Sequence, residues 1–310
     1  MKKISIISPC YNEEQMVEIF FSNLTPILNN LPNYQFEIVI INDGSNDKTL
    51  DNLKSASASD SRIKIIDLNR NFGKEIALTA GLDNADGDAA IIFDFDLQDP
   101  LSLISDFLTE WEKGFEAVIG IRKDRSSDSF FKRKTASLFY SIYNVFSEIK
   151  IPRNAGDSRL LDRKIMNQLK EMPERQRFMK GLFAWIGAQA SYVEYSRQKR
   201  PLSSSKFSGW KLWNLAIEGI TNFSTLPLRV WTYIGLFISS LSFIYASFII
   251  IRSMIFGIDV PGYNSLIVAV LFLGGIQIMG IGIIGEYLGR IYMESKQRPI
   301  YLVRQIITKS

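Results

Sequence analysis

The chain has 310 residues, 36 Lys and Arg against 32 Asp and Glu for a net charge of +4, no histidine, and one cysteine, Cys10. The missing histidine excludes Ser-His-Asp and Cys-His catalysis and the usual zinc sites, and the lone cysteine excludes an intrachain disulfide framework. The length allows two domains, and the small net charge gives no ground for a nucleic-acid partner.

The N-terminus, MKKISIISPC, is not a signal peptide, because Ser5, Ser8 and Pro9 interrupt a short apolar run. It reads as a first strand, Ile4 to Ser8. Further strands are expected at Phe36 to Ile41, Ile63 to Leu68, Ala89 to Phe93 and Ala117 to Ile121. Helical patterns separate them at Glu13 to Leu28, Lys48 to Ser57, Lys74 to Asn84 and Leu101 to Lys113. Asn46 and Asp47 suit a helix cap, and Pro100 suits a first helical turn. This alternation predicts an α/β, mainly parallel, Rossmann-like sheet.

Residues 129–149 recur as an aromatic-rich helix with a basic end at Lys132, Arg133 and Lys134. They read as an amphipathic helix in the membrane interface, with a second near 207–223 that carries Trp210 and Trp213. From Tyr195 to Ile217 there are five cations (Arg197, Lys199, Arg200, Lys206 and Lys211) and no acid. Val230 to Ile251 and Tyr263 to Gly285 hold no charge over 22 and 23 residues, enough for two bilayer-spanning helices. Basic residues crowd the outer flanks, so the positive-inside rule places the α/β domain and both termini in the cytoplasm. Gly274, Gly275, Gly280, Gly282 and Gly285 suggest close helix packing within or between subunits. The expected organisation is a soluble domain over 1–225, a membrane hairpin over 226–290 and a cytoplasmic tail over 291–310.

The chemistry concentrates in DAAIIFDFDLQDP, Asp88 to Pro100. In an extended segment Asp94 and Asp96 project to one side and can converge on a hard cation, Mg²⁺ or Mn²⁺, with Gln98 and Asp99 close behind. The ends of the first two strands, Ser8 to Glu14 and Asn42 to Ser45, lie on the same sheet edge. Asp43 could bond a base or ribose there, and Tyr11 could stack on a base. In Asn69 to Lys74, Gly73 permits close backbone approach, and Lys74 with the helix N-terminus suits an anion. Neither a Walker A loop nor G-x-G-x-x-G is present.

SPCYNEE, INDGSNDKT, LNRNFGKEIALTAGLDNADGDAAIIFDFDLQDP, GIR at Gly120 to Arg122, GDSRLLDRK at Gly156 to Lys164 and GIQIMGIGIIGEYLGRIYMESKQRP span nearly the whole chain. With them the sequence resembles the inverting family-2 glycosyltransferases of the GT-A fold. Within these it is similar to the polyisoprenyl-phosphate enzymes, in their bactoprenol glucosyltransferase subgroup, which is related to dolichyl-phosphate mannose synthases. One departure lies before the first span, where Arg200-Pro-Leu-Ser-Ser-Ser-Lys-Phe has serines in place of the family's glycine.

The resemblance implies a nucleotide-sugar donor, most readily UDP-glucose, and undecaprenyl phosphate as acceptor, in the bacterial inner membrane. UDP-N-acetyl sugars, UDP-linked modified pentoses and GDP-mannose stay open as donors. It also implies a homotetramer, a small membrane flippase as partner, and a role in O-antigen, lipopolysaccharide or envelope glycan modification. Carried onto this chain, Pro9, Tyr11, Glu13 and Asp43 hold the nucleoside; Gly73, Lys74 and Asp94 lie by the ribose and diphosphate; Asp96, Asp94 and Gln98 hold the metal.

In the expected reaction a lipid phosphate oxygen attacks the anomeric carbon with inversion. That nucleophile is already an anion, so no strong base is needed. Arg122, Arg133, Arg200 and Lys206 are the candidates for holding the lipid phosphate. Asp157 either contacts the sugar, orients a cation, or serves as a plain cap or salt bridge. Asp94, Asp96, Asp157 and Arg122 form the expected catalytic group. Rival readings are a processive polysaccharide synthase, whose Q-x-x-R-W motif Gln176-Arg177-Phe178 does not complete, and a membrane scaffold that binds nucleotide sugar without turnover.

Overall fold

Runs such as Ile38-Val-Ile-Ile41 are apolar on both faces of an extended chain, and a strand of that kind is stable only between two layers of helices. The computed structural model, which describes residues 1–123, 155–172, 174–175, 177–197, 226–256 and 262–309, has that arrangement. The strands are β1 (Lys2–Cys10), β2 (Tyr34–Asn42), β3 (Ile63–Leu68), β4 (Ala89–Ile92), β5 (Ala117–Arg122), β6 (Ala155–Asp162), β7 (Ala190–Tyr195) and β8 (Val303–Thr308). They form one sheet in the order β7-β5-β6-β4-β1-β2-β3-β8. The pairs β1–β2, β1–β4, β2–β3 and β5–β7 are parallel, and β3–β8, β4–β6 and β5–β6 antiparallel.

Alternate residues feed two cores. Ile4, Ile6, Ile38, Ile40 and Ile91 pack under α1 (Met16–Asn29), α2 (Thr49–Ser59) and α4 (Leu103–Glu112). Ile7, Val39, Ile41, Ala90 and Ile92 pack under α3 (Lys74–Asp83), α5 (Arg163–Glu171) and α6 (Met179–Trp185). Each such side chain contributes roughly 1.5–3 kcal/mol by leaving water. α1 starts at Met16 rather than Glu13, and the turn before it is tied to the second strand's loop: Glu13 N–H donates to Thr49 Oγ1 at 2.9 Å and Glu14 N–H to Asp47 Oδ2 at 3.3 Å.

Two long helices follow, α7 (Leu226–Phe256) and α8 (Tyr263–Ser295). Phe237, Phe243, Ile281 and Leu288 are all more than half exposed on them, an arrangement suited to hydrocarbon rather than water. Among the described residues, Phe272–Ser295 is long and apolar enough to cross a membrane, at 24 residues and mean hydropathy 1.3; Val230–Tyr245 is a shorter apolar stretch. Of the five glycines expected to pack, Gly280 is buried against the Trp231 indole of α7, and a Cβ on Gly274, Gly275, Gly282 or Gly285 would meet nothing within 4 Å.

The end of α8 and the segment after it contact the α/β domain. Arg175 N–H donates to Glu294 Oε1 at 2.8 Å and Arg175 Nε to the Arg298 carbonyl at 3.0 Å. Val303–Thr308 then joins the sheet beside β3. The expected interfacial helices near 129–149 and 207–223 lie outside the described residues.

Candidate active site

The parallel strands β1, β2, β3 and β4 deliver their C-terminal ends to one edge, with Cys10 beside Asn42, Asn42 beside Asp67, and Ile7 beside Ile92. The first two strand ends are tied together. Asn12, at a left-handed φ of 53°, accepts from Asn46 N–H at 2.8 Å and donates its own N–H to Ser45 Oγ at 2.9 Å. Pro9 and Glu13 are half-buried here, and Tyr11 is 41 % exposed.

Asp43 is buried, and burial pushes its carboxyl up against the pull of two amides. Its oxygens accept from Phe72 N–H at 2.8 Å and Gly73 N–H at 2.9 Å. In this conformation Asp43 therefore shapes the loop after β3, while each oxygen keeps a further lone pair. Gly44, at φ 65°, lets that loop approach: a Cβ there would lie 2.6 Å from Arg70 Cα.

Lys74, the first residue of α3, reaches two acids. Its Nζ is 2.6 Å from Asp94 Oδ1 and 2.7 Å from Asp157 Oδ2, and Lys180 Nζ takes the other Asp157 oxygen at 2.8 Å. Burial works against the charge on Lys74, but the two carboxylates outweigh it and raise its pKa. Burial likewise opposes the charge on Asp157, yet Lys180 and Lys74 hold it well below the usual carboxylate range. Asp94 is pushed up by burial, with Lys74 opposing and Asp157 and Asp96 adding their repulsion. The two lysine contacts of Asp157 fit both the cation-orienting role and the plain salt-bridge role open to it. Lys180 carries no sequence motif. It is placed by Glu75, whose Oε2 accepts from Met179 N–H at 2.9 Å.

The acidic segment is a turn, not a strand. β4 stops at Ile92, so the expected extended alternation through Asp94 and Asp96 is corrected: side-chain anchoring in the turn sets their direction. Phe95 is buried and stacks on Phe20 at 4.3 Å between ring centroids. Asp99 is buried and accepts from Ser158 Oγ at 2.6 Å. Asp94, Asp96 and Gln98 are left half-buried at the edge. Leu97 sits at φ 53°, a costly conformation for a residue with a Cβ, and Asp96 Oδ1 accepts from Gln98 N–H at 3.2 Å. Among the described residues no cation pairs with Asp96.

Arg122 ends β5, and its Nε donates to the Tyr195 hydroxyl at 3.3 Å. Arg133, Arg200 and Lys206 lie outside the described residues. No group of three or more His, Cys, Asp or Glu among the described residues is arranged to hold a metal by itself. Asp94, Asp96 and Gln98 offer a smaller oxygen set, of the kind that suffices when a ligand's phosphates complete the shell.

Residues 5–170 match glycosyl transferase family 2, and residues 226–291 match the GtrB C-terminal hairpin. The chain belongs to glycosyltransferase family 2. The glycosyltransferase is 50 % identical over 302 residues to the bactoprenol glucosyl transferase of Shigella phage SfV, covering 97 % of this chain and 98 % of that one. It is 49 % identical over 304 residues to the prophage bactoprenol glucosyl transferase homolog of Escherichia coli K12, covering 98 % and 99 %. An uncharacterized glycosyltransferase of Synechocystis is 50 % identical over 304 residues, covering 98 % and 95 %. A solved mycobacterial protein aligns with a TM-score of 0.50 at 16 % identity over 71 % of this chain and 73 % of that one, which speaks for the fold alone.

Proposed function

We propose that this glycosyltransferase moves glucose from UDP-glucose to undecaprenyl phosphate with inversion, making a lipid-linked sugar for envelope glycan modification. The single observation that carries the reading is the near-full-length likeness to bactoprenol glucosyl transferases, hairpin included. The site's geometry supports it. Tyr11, with Pro9 and Glu13, lines the place for the nucleoside. The Phe72–Gly73 turn and Lys74 face the place for the diphosphate. Asp94, Asp96 and Gln98 would hold a divalent cation there, Mg²⁺ or Mn²⁺, and such an ion stabilises the charge that builds on a departing diphosphate. Asp157 fixes Lys74 and Lys180 beside that charge. Arg122, together with Arg133, Arg200 and Lys206 from the membrane-proximal segments, would bring in the lipid phosphate.

The same reading places the catalytic domain, residues 1–225, on the cytoplasmic side of the bacterial inner membrane, with α7 and α8 as a two-pass hairpin. The return of the chain into the sheet at β8 supports both outer ends lying on one side. Supplying undecaprenyl phosphate with a panel of radiolabelled nucleotide sugars tests the reaction. UDP-glucose should label the lipid, and labelling from another nucleotide sugar alone would reassign the donor.

A further inference from the structure

Asp67 is a fully buried carboxylate at the end of β3, and a buried carboxylate is stable only when its oxygens are satisfied. One partner comes from the neighbouring strand, where Asn42 Nδ2 donates to Oδ1 at 2.8 Å. The others come from the far side of the membrane hairpin. Gln305 Nε2 donates to Oδ2 at 3.1 Å, and Arg304 Nη1 lies 3.6 Å from the same oxygen. Asn69, two residues on, is bracketed by the same segment: its N–H donates to the Leu302 carbonyl at 3.0 Å, and Arg304 Nη2 donates to its carbonyl at 2.7 Å.

Asn69 opens the loop whose other end, Phe72 and Gly73, hangs on Asp43. The loop is thus held at both ends. Asp43 follows Asn42, so both anchors converge on the Asn42–Asp43 step and Asp67. We propose that Arg304 and Gln305 are positioning residues for the donor: through Asp67 and Asn69 they keep the Asn69–Lys74 loop in the shape that receives the diphosphate. This rests on the reading above that the loop serves the nucleotide sugar. Neither side chain need touch substrate. They remove the ordering cost that a loose loop would charge against donor binding.

The test uses the full chain in lipid nanodiscs, as wild type, Arg304→Ala, Gln305→Ala and the double variant. Without substrate, hydrogen exchange of the peptide over residues 69–74 should accelerate about 5-fold or more, while peptides from β1 and β4 keep their protection. In turnover, KM for UDP-glucose should rise about 3- to 10-fold, with kcat and KM for undecaprenyl phosphate within about twofold. Arg304→Lys, which keeps a donor for the Asn69 carbonyl, should recover part of the loss. Unchanged loop exchange overturns the proposal. So does faster exchange with an unchanged donor KM, or a loss of protection shared equally by β1 and β4. If wild type labels no lipid from any nucleotide sugar, the reaction assigned above fails, and the exchange arm still decides whether these residues hold the loop.

Discussion

Lys74 and Asp157 are 83 residues apart in the chain and 2.7 Å apart in the fold. Their bond joins the start of a helix on one face of the sheet to a strand two places from β1. Asp94 completes the bridge from the intervening strand end.

Removing Lys74 should therefore cost both function and stability. Lys74→Met leaves Asp94 and Asp157 facing each other with, among the described residues, Lys180 to offset them. Transfer should fall ~10²-fold or more, as for loss of a charge-stabilising donor. Stability should drop by about 1–2 kcal/mol, less than for a fully buried pair because the Lys74 side chain is 45 % exposed. Turnover and thermal unfolding in detergent check the two parts. A melting point unchanged from wild type would remove the electrostatic account of this cluster.

Asp96 is expected to matter for chemistry without mattering for folding, because among the described residues it pairs with no cation. Asp96→Ala should abolish transfer while the protein stays folded in membranes. EDTA should do the same to wild type, with recovery on adding Mg²⁺ or Mn²⁺. Full transfer in chelator would sink the divalent-cation reading.

At the opposite edge of the sheet, Glu37 holds a buried network. It accepts from Ser5 Oγ at 2.5 Å and Asp86 N–H at 2.6 Å, and pairs with Lys3 at 2.7 Å. Burial pushes its carboxyl up, but the bonds from Lys3, Ser5 and the Asp86 amide prevail and lower it below 4.5. A depressed folded-state value stabilises above the unfolded value and is lost as pH falls through the folded one. Glu37→Gln should cost about 1–3 kcal/mol at pH 7. The difference from wild type should shrink steadily below about pH 4.5 in denaturant melts. A constant difference down to pH 2 would contradict the assignment.

Gly280 and Gly282 give a paired test of the hairpin. Gly280→Leu drives a side chain into Trp231 and should lower stability by about 1–3 kcal/mol, with a shift in tryptophan emission. Gly282→Ala, which meets nothing within 4 Å, should leave both unchanged. Equal effects at the two positions would mean that Trp231 does not rest on Gly280.

The first half of the fold is legible because its strands are continuous apolar runs with helix patterns between them, and β1 to β5 fall where those runs do. β6 is harder to see. Its sequence AGDSRLLD carries Asp157 and the buried Arg159, and Arg159 stacks on Phe183 at 4.1 Å and bonds the Gly156 and Asp157 carbonyls. β8, VRQIIT, is short and half polar, and nothing local ties it to a strand 238 residues earlier. The acidic pair is readable as chemistry, but its turn is not, since Phe95 and Asp99 reveal their anchoring role only through Phe20 and Ser158. Lys180 is invisible for the same reason: its meaning lies in Asp157.

The contact between Gln305 and Asp67 also sets an order of events during synthesis. β3 leaves the ribosome early and waits with one edge unpaired, the kind of edge that invites wrong partners. Its proper neighbour is translated after α7 and α8. The sheet is therefore completed after the hairpin has been made. A chain stalled before residue 303 should be caught as a partly folded, protease-sensitive intermediate.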